Sequence, residues 1–276
     1  MRSAASSFAG AWSPSISPSF RKVGLPAATL VGVVVLWELA YRVFNIPKFI
    51  VPAPLGIIAE TWEWRWRLLG HTWVTLYETL AGFGLSIGVG TPLAVLLVYS
   101  SVLRDALYPM VVVTQAVPKV AIAPVLLLLL GAGEVSKVIV AFSVAFFPIV
   151  VDTATGLAAT PPELLDLSRS YRASAFKTFV KVRFPTALPF FFSGLKVAVT
   201  LSVIGAVVGE FVGSDKGLGY VIVSATSYWK SNLAFGAMGI LALMAIVLFG
   251  LVELTERLVC PWNVDARERE GRARPG

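Results

Sequence analysis

The chain has 276 residues, of which 57% are hydrophobic and only 14% charged, and its mean hydropathy is +0.79. A soluble domain carries about 25% charged residues, so this composition excludes one and points to a polytopic membrane protein. The net charge of +7 does not indicate nucleic-acid binding, because Lys and Arg sit in tails and loops between apolar runs and form no continuous basic face.

Residues 1–20 are rich in Ser, Ala and Pro, with Arg2 as their one charge. They read as a disordered tail without the apolar core of a cleaved signal peptide. Six later segments have the roughly 20 predominantly apolar residues that a helical span needs. They run from Val23 to Phe44, Trp73 to Tyr99, Ala106 to Leu130, Val135 to Leu157, Ala187 to Val212 and Ala234 to Leu254. The expected fold is an all-α membrane protein with six transmembrane helices. Residues 21–258 form one membrane domain in this reading, and 259–276 a second tail.

The segment from Asn45 to Thr72 has its own character. Its prolines favour extended backbone in the residues before them. Trp62, Trp66, Leu69 and Trp73 then recur at helical spacing with Arg65 and Arg67 between them, as in a short helix lying at a membrane interface. His71, the single histidine, reads as an interfacial polar group, because no partner stands at metal-ligand spacing. In the second span, Gly84 and Gly88 are spaced for close helix approach. The third contains Pro109, Pro118 and Pro124. Proline removes a backbone donor and bends a helix, and such breaks at membrane depth are tolerated where the backbone is buried or lines a cavity. That makes the third span the candidate for lining a path. The single Cys260 excludes an internal disulfide and reads as an inert thiol near a helix end.

Lys and Arg bias sets the expected orientation. With the N-terminus in the cytoplasm, the inner side holds Arg2, Arg21, Lys22, Arg104, Arg169, Arg172, Lys177, Lys181, Arg183, Arg257, Arg267, Arg269, Arg272 and Arg274. The outer side holds Arg42, Lys48, Arg65, Arg67, Lys137, Lys216 and Lys230. Fourteen against seven favours both termini inside.

Between the fourth and fifth spans lies a polar, basic island, Thr160 to Pro189 (TPPELLDLSRSYRASAFKTFVKVRFPTALP). A protein that only spans or anchors has no need of it. Thr160 reads as an N-cap, Pro161 as the first helical residue and Glu163 as the return arm of a capping box. Leu164, Leu165, Leu167, Phe176, Phe179 and Val180 supply an apolar stripe, and Arg169, Arg172, Lys177, Lys181 and Arg183 a basic face. Ser174 caps a second short helix that Pro185 ends. The island is therefore expected to be helix, turn, helix, a stiff element on which another protein acts.

Asp166 to Ser174 (DLSRSYRAS), with Phe184 to Pro189 (FPTALP), resembles the cytoplasmic EAA loop of ABC importer permeases. The resemblance extends through Phe191 to Ile222, Val51 to Pro54 and Val117 to Pro124. As a set these motifs are similar to the nitrate, sulfonate and taurine branch of binding-protein-dependent permeases, which also serves riboflavin and pyrimidine precursors. The resemblance implies a pore made from two copies, a homodimer in a cell inner membrane. Two cytoplasmic ATPase subunits, using ATP and Mg, would each receive one loop, and a periplasmic binding protein would deliver the solute. It implies no cofactor on this chain. The ATPase-coupling residues would be Glu163, Asp166, Arg169, Arg172, Ala173, Ser174, Phe176, Lys177, Pro185, Leu188 and Pro189. The chain departs from the pattern at Asp166, Leu167 and Ser168, where Glu-Ala-Ala is usual, and at Arg172, where Gly is usual. Arg172 is expected either to avoid a positive φ or to contact the ATPase by charge.

Charged groups within spans cost about 2.5–3.5 kcal/mol on insertion scales and are functional suspects. Gln115, Lys119, Glu210 and Ser202 are the candidate path residues, with Lys119 offering positive charge to an anionic solute or pairing with a carboxylate such as Glu210. Lys196 reads as structural, and Glu38 and Glu78 as partners of backbone or basic groups. Gly213 to Gly219 lacks the GKS or GKT ending of a nucleotide loop and reads as a turn into an outer gate helix. No nucleophile–His pair, paired loop carboxylates or nucleotide loop appears, so the chain reads as a non-enzyme. The rival reading, an ion-gradient-driven secondary transporter, predicts internal repeats with matching broken helices, and none is evident.

Overall fold

The computed structural model describes residues 24–45, 47 and 50–262. The two expected tails, apart from their few residues inside those limits, lie outside the described residues. The described chain is helical: α1 (Leu25–Val43), α2 (Pro54–Glu63), α3 (Arg65–Tyr99), α4 (Ser101–Ala116), α5 (Lys119–Leu130), α6 (Glu134–Ala158), α7 (Pro162–Ser170), α8 (Ala175–Thr178), a π-helical turn (Phe179–Arg183), α9 (Phe184–Gly213), α10 (Leu218–Ser227) and α11 (Ser231–Val259).

Among the described residues, five helical segments are long and apolar enough to cross a membrane: Leu25–Val43, Arg65–Tyr99, Glu134–Ala158, Ala175–Gly213 and Ser231–Val259. The expected third span is not one helix. It divides into α4 and α5 because Pro118 pushes Val117 into extended backbone (ψ 124°) and is itself extended (ψ 104°). The expected interfacial helix is also redrawn. Trp66, Leu69 and Trp73 lie on α3 itself, a helix of 35 residues, while Trp62 lies in the last turn of α2. All four side chains are exposed along one side.

The centre of the bundle is α6, packed most extensively on α9 and next on α3. In lipid, helices gain little from hydrophobic burial against one another, so small residues that admit a neighbouring backbone do the work. A Cβ on Gly205 would lie 2.6 Å from Ala141 Cα, and one on Gly82 would lie 2.5 Å from Ala141 Cβ. α6 is thus pinched at one residue between α9 and α3. Gly156 and Gly194 make equally tight contacts with Phe190 and with the Pro148 carbonyl. A Cβ on Gly84 or Gly88, the pair expected from spacing, would meet nothing within 4 Å among the described residues. The approach uses Gly82, Ser86 and Gly90, half a turn round the same helix, all of them buried.

Apolar clusters fill the rest. Leu68, Leu218, Val221, Ile222, Leu233 and Ala237 join α3, α10 and α11 at one end of the bundle, the α10 end. Ala145, Ile149, Leu188, Phe192, Leu195 and Cys260 join α6, the start of α9 and the chain beyond α11 toward the other, the α7 end. Cys260 is fully buried there; burial and the neighbouring Glu256 carboxylate push its thiol pKa up, which suits an inert thiol. Lys196 of α9 pairs with Glu256 of α11 at 2.5 Å, and Glu38 pairs with Arg42 at 2.8 Å within α1.

Gly205→Ala is expected to destabilise the protein by about 1–3 kcal/mol, since the obstructing atom is backbone. Gly84→Ala is expected to be neutral or to gain up to about 1 kcal/mol from helix propensity. Thermal unfolding of the two purified variants in one detergent checks this. Equal melting temperatures would contradict the packing described.

Candidate functional site

The α7 end carries the polar island. Its first helix does not start as the capping-box pattern suggests. Pro161 is the N-cap residue, in extended conformation, and Pro162 takes the first turn. Thr160 is buried, and its hydroxyl donates to the Leu157 carbonyl at 3.1 Å instead of capping α7. Two consecutive prolines start this helix without a side-chain cap, because their fixed φ suits a first turn and their missing N–H groups need no partner there. Glu163 stands in that first turn, favourably placed toward the helix dipole. Asp166 accepts from Arg169 at 3.1 Å on the open surface.

α7 ends in a Schellman motif. The Arg172 N–H donates to the Arg169 carbonyl at 2.8 Å and the Ala173 N–H to the Ser168 carbonyl at 3.0 Å. The residue that closes the motif must be left-handed, and Arg172 is, with φ of 50°. The expectation that Arg172 avoids a positive φ is therefore wrong. The hydrogen bonds of the motif hold it there against a steric penalty of about 1–2 kcal/mol.

Ser174 caps the second helix as expected, accepting from the Lys177 N–H at 3.3 Å. Pro185 does not end that helix. α8 passes through the π turn into α9, so that Ala175–Gly213 is one helical segment of 39 residues. The extra residue of a π turn is what a helix inserts where its regular ladder is interrupted. Here Pro185 lacks an N–H, and in a regular ladder its ring would crowd the carbonyl four residues back. The turn is braced against the end of α3: Arg183 lies over the Tyr99 ring at 5.1 Å and Phe179 packs on Tyr99 at 6.1 Å.

The expected apolar stripe is largely uncovered. Of its residues Leu164, Leu167, Phe176 and Val180 are exposed, Phe176 at 75%; Tyr171, which was not part of the expected stripe, is 79% exposed, and α7 buries no residue. Lys177 is exposed beside them, and Ala173 is partly covered. Pro185 and Pro189 lie inside the rod, and Leu188 is buried against α6.

Of the expected path residues, the side chains of Gln115 and Lys119 lie outside the described part of the structure; their backbones close α4 and open α5, on either side of the break. Ser202 is buried and donates to the Thr79 carbonyl at 2.8 Å. Glu210 is buried near the end of α9, accepting from Thr75 Oγ1 at 2.6 Å. Lys137, counted above as an outer-loop cation, is 3% exposed on α6, with Nζ 3.4 Å from Glu78 Oε1. It has to be removed from the surface count, which leaves the sign of the bias unchanged. A buried ammonium must be paired, and its partner comes from a helix about sixty residues distant in sequence, so no local pattern announces the pair.

Residues 84–261 match the family described as the binding-protein-dependent transport system inner membrane component. A probable ABC transporter permease protein of Haemophilus influenzae is 36% identical over 85% of this chain and 96% of its own. The riboflavin transport system permease protein RibX of Chloroflexus aurantiacus is 36% identical over 87% and 90%. More distant relatives are named for formylaminopyrimidine, aliphatic sulfonates and nitrate. Among solved structures, a chain of the MetNI methionine ABC transporter in inward-facing conformations superposes with a TM-score of 0.62 at 21% identity, covering 71% of this chain and 98% of that one. The chain belongs to the binding-protein-dependent permease family: it is a membrane-spanning ABC importer subunit that transports and is not an enzyme.

Arg172→Gly should relieve the left-handed strain and stabilise the loop by about 1 kcal/mol. Amide exchange across 168–173 should slow in the variant, with ATPase co-purification retained. Faster exchange would contradict the Schellman assignment.

Proposed function

We propose that this permease is driven from its α7 end by a cytoplasmic ABC ATPase and receives its solute at the α10 end from a periplasmic binding protein. The single observation that carries this reading is the continuous helical segment Ala175–Gly213. One end of the rod bears the exposed loop, and the other reaches α10. A displacement applied at Phe176 is then passed along α9 without a flexible joint.

The uncovered apolar and basic surface of α7 and α8 is the face for the ATPase. Exposed apolar side chains clustered on a short helix mark a protein contact, and aromatic residues such as Tyr171 and Phe176 carry most of the energy of such contacts. Glu163, Asp166, Arg169, Arg172, Ala173, Ser174 and Lys177 border them. Pro185, Leu188 and Pro189 set the rod's entry into the bundle. ATP and Mg belong to the ATPase, not to this chain.

The broken α4–α5 segment completes the membrane domain as a sixth crossing, with both termini cytoplasmic and residues 21–258 as the permease unit. Two copies form the pore. Gln115 and Lys119 are its path residues in this reading, their backbones on either side of the Pro118 break, where freed backbone groups and a lysine suit an anionic or carbonyl-rich solute. Glu210 and Ser202 bear on the path from behind, by holding α9 to α3. The solute is a small organic anion or vitamin precursor, such as a sulfonate, nitrate, riboflavin or a pyrimidine. This range is supported by the names of the relatives.

Co-expression with an ABC ATPase subunit from the same source tests the reading. Phe176→Asp should reduce ATPase recovery by about tenfold or more, with permease abundance in the membrane unchanged. Full recovery of the ATPase on that variant would contradict the assignment of the face.

A further inference from the structure

The turn before α10 is held in a way that neither the family nor the rod explains. The first N–H groups of a helix have no partner within it. In α10, the N–H groups of Gly217, Leu218 and Gly219 donate in succession to three different side chains: His71 Nδ1 at 3.1 Å, Thr75 Oγ1 at 2.8 Å and Glu210 Oε2 at 2.5 Å. His71 and Thr75 stand one turn apart on α3, and Glu210 lies on α9. The Thr75 hydroxyl donates onward to Glu210 Oε1 at 2.6 Å. The acceptor role of His71 Nδ1 places the proton of the neutral ring on Nε2.

The turn is tied to a third helix as well. Lys137 of α6 donates to Ser214 Oγ at 2.6 Å, and Ser214 in turn donates to the Lys216 carbonyl. Thr75, Glu78, Lys137 and Glu210 are each at most 3% exposed. The carboxylate sits against the positive end of α10, where a helix favours an anion. Both neighbouring glycines are required by that placement. A Cβ on Gly217 would fall 2.0 Å from Glu210 Oε1, and one on Gly219 would fall 2.7 Å from Oε2.

Resting on the reading of the α10 end as the solute-entry side, we propose that His71, Thr75 and Glu210 form a latch that holds α10 closed across that end and must release for the entry side to open. The three acceptors grip consecutive amides of one turn, so the hold is lost as a unit. Glu210 is carried by the rod that the ATPase moves, which gives the motor a direct means of releasing the turn. Lys137 fixes the turn's other flank to α6. These are positioning residues: none needs to touch the solute.

The permease–ATPase complex in nanodiscs provides the test, with two readouts: amide exchange over 217–219 and basal ATPase rate. Thr75→Val keeps the shape but loses the hydroxyl's hydrogen bonds to the Leu218 amide and to Glu210. Exchange over 217–219 should rise by roughly tenfold, the equivalent of one to two lost hydrogen bonds, and basal ATPase activity should rise. Thr75→Ser should restore both. Gly219→Ala, which displaces Glu210 by a different route, should reproduce the Thr75→Val behaviour if the latch exists. Unchanged exchange in both variants would overturn the latch, and so would faster exchange with an unchanged ATPase rate. Failure of the ATPase to assemble with the wild-type chain would instead defeat the functional reading, leaving exchange to judge the latch alone.

Discussion

Contact between backbones at the α6–α9–α3 junction is the constraint on which everything else rests. A membrane helix cannot be held by the exclusion of water from its side chains, because lipid is as apolar as they are. Ala141 is gripped from both sides at Gly205 and Gly82, and this closeness braces the middle of α9 against α6 and, through it, α3. A loosely packed rod would bend within the bundle and dissipate any displacement applied to its end.

The same packing explains the distribution of polar groups. Lys137, Glu78 and Glu210 are buried because the junction brings α3, α6 and α9 together at the α10 end, and a buried ion pair is tolerable only where partners are fixed. Glu78 has no hydrogen bond to either oxygen among the described residues and relies on Lys137 at 3.4 Å. At the α7 end the arrangement is reversed: apolar side chains are exposed and charges surround them. One end buries its charges and the other exposes apolar side chains.

Much of this was legible from the residues. The apolar runs located the five long apolar helices, the polar island stood out by composition, and Ser174 capped as its type suggests. The features misread were those decided by competition between local signals or by distant contacts. Thr160 has the right chemistry for a cap, but Pro161 followed by Pro162 starts the helix one residue later. Pro185 reads as a stop, yet a first-turn position and a π turn absorb it. Gly84 and Gly88 match a packing motif, but the helix turns Gly82 and Gly90 inward, and only the neighbouring helices decide which. Lys137 looked like a surface cation because Glu78 and Ser214 lie about sixty and eighty residues away along the chain. His71, the lone histidine, gave no sign that its partner would be a backbone amide of a distant turn.

Stiffness of the segment from Ala175 to Gly213 is the central claim, and the distance between spin labels at Ala175 and Val212 measures it directly in the assembled transporter. With and without nucleotide, that distance should stay the same while the distance from either label to α1 changes. A label-to-label distance that shifts with nucleotide would mean that the helix flexes at its π turn, and the rod would not be the element that carries the motion.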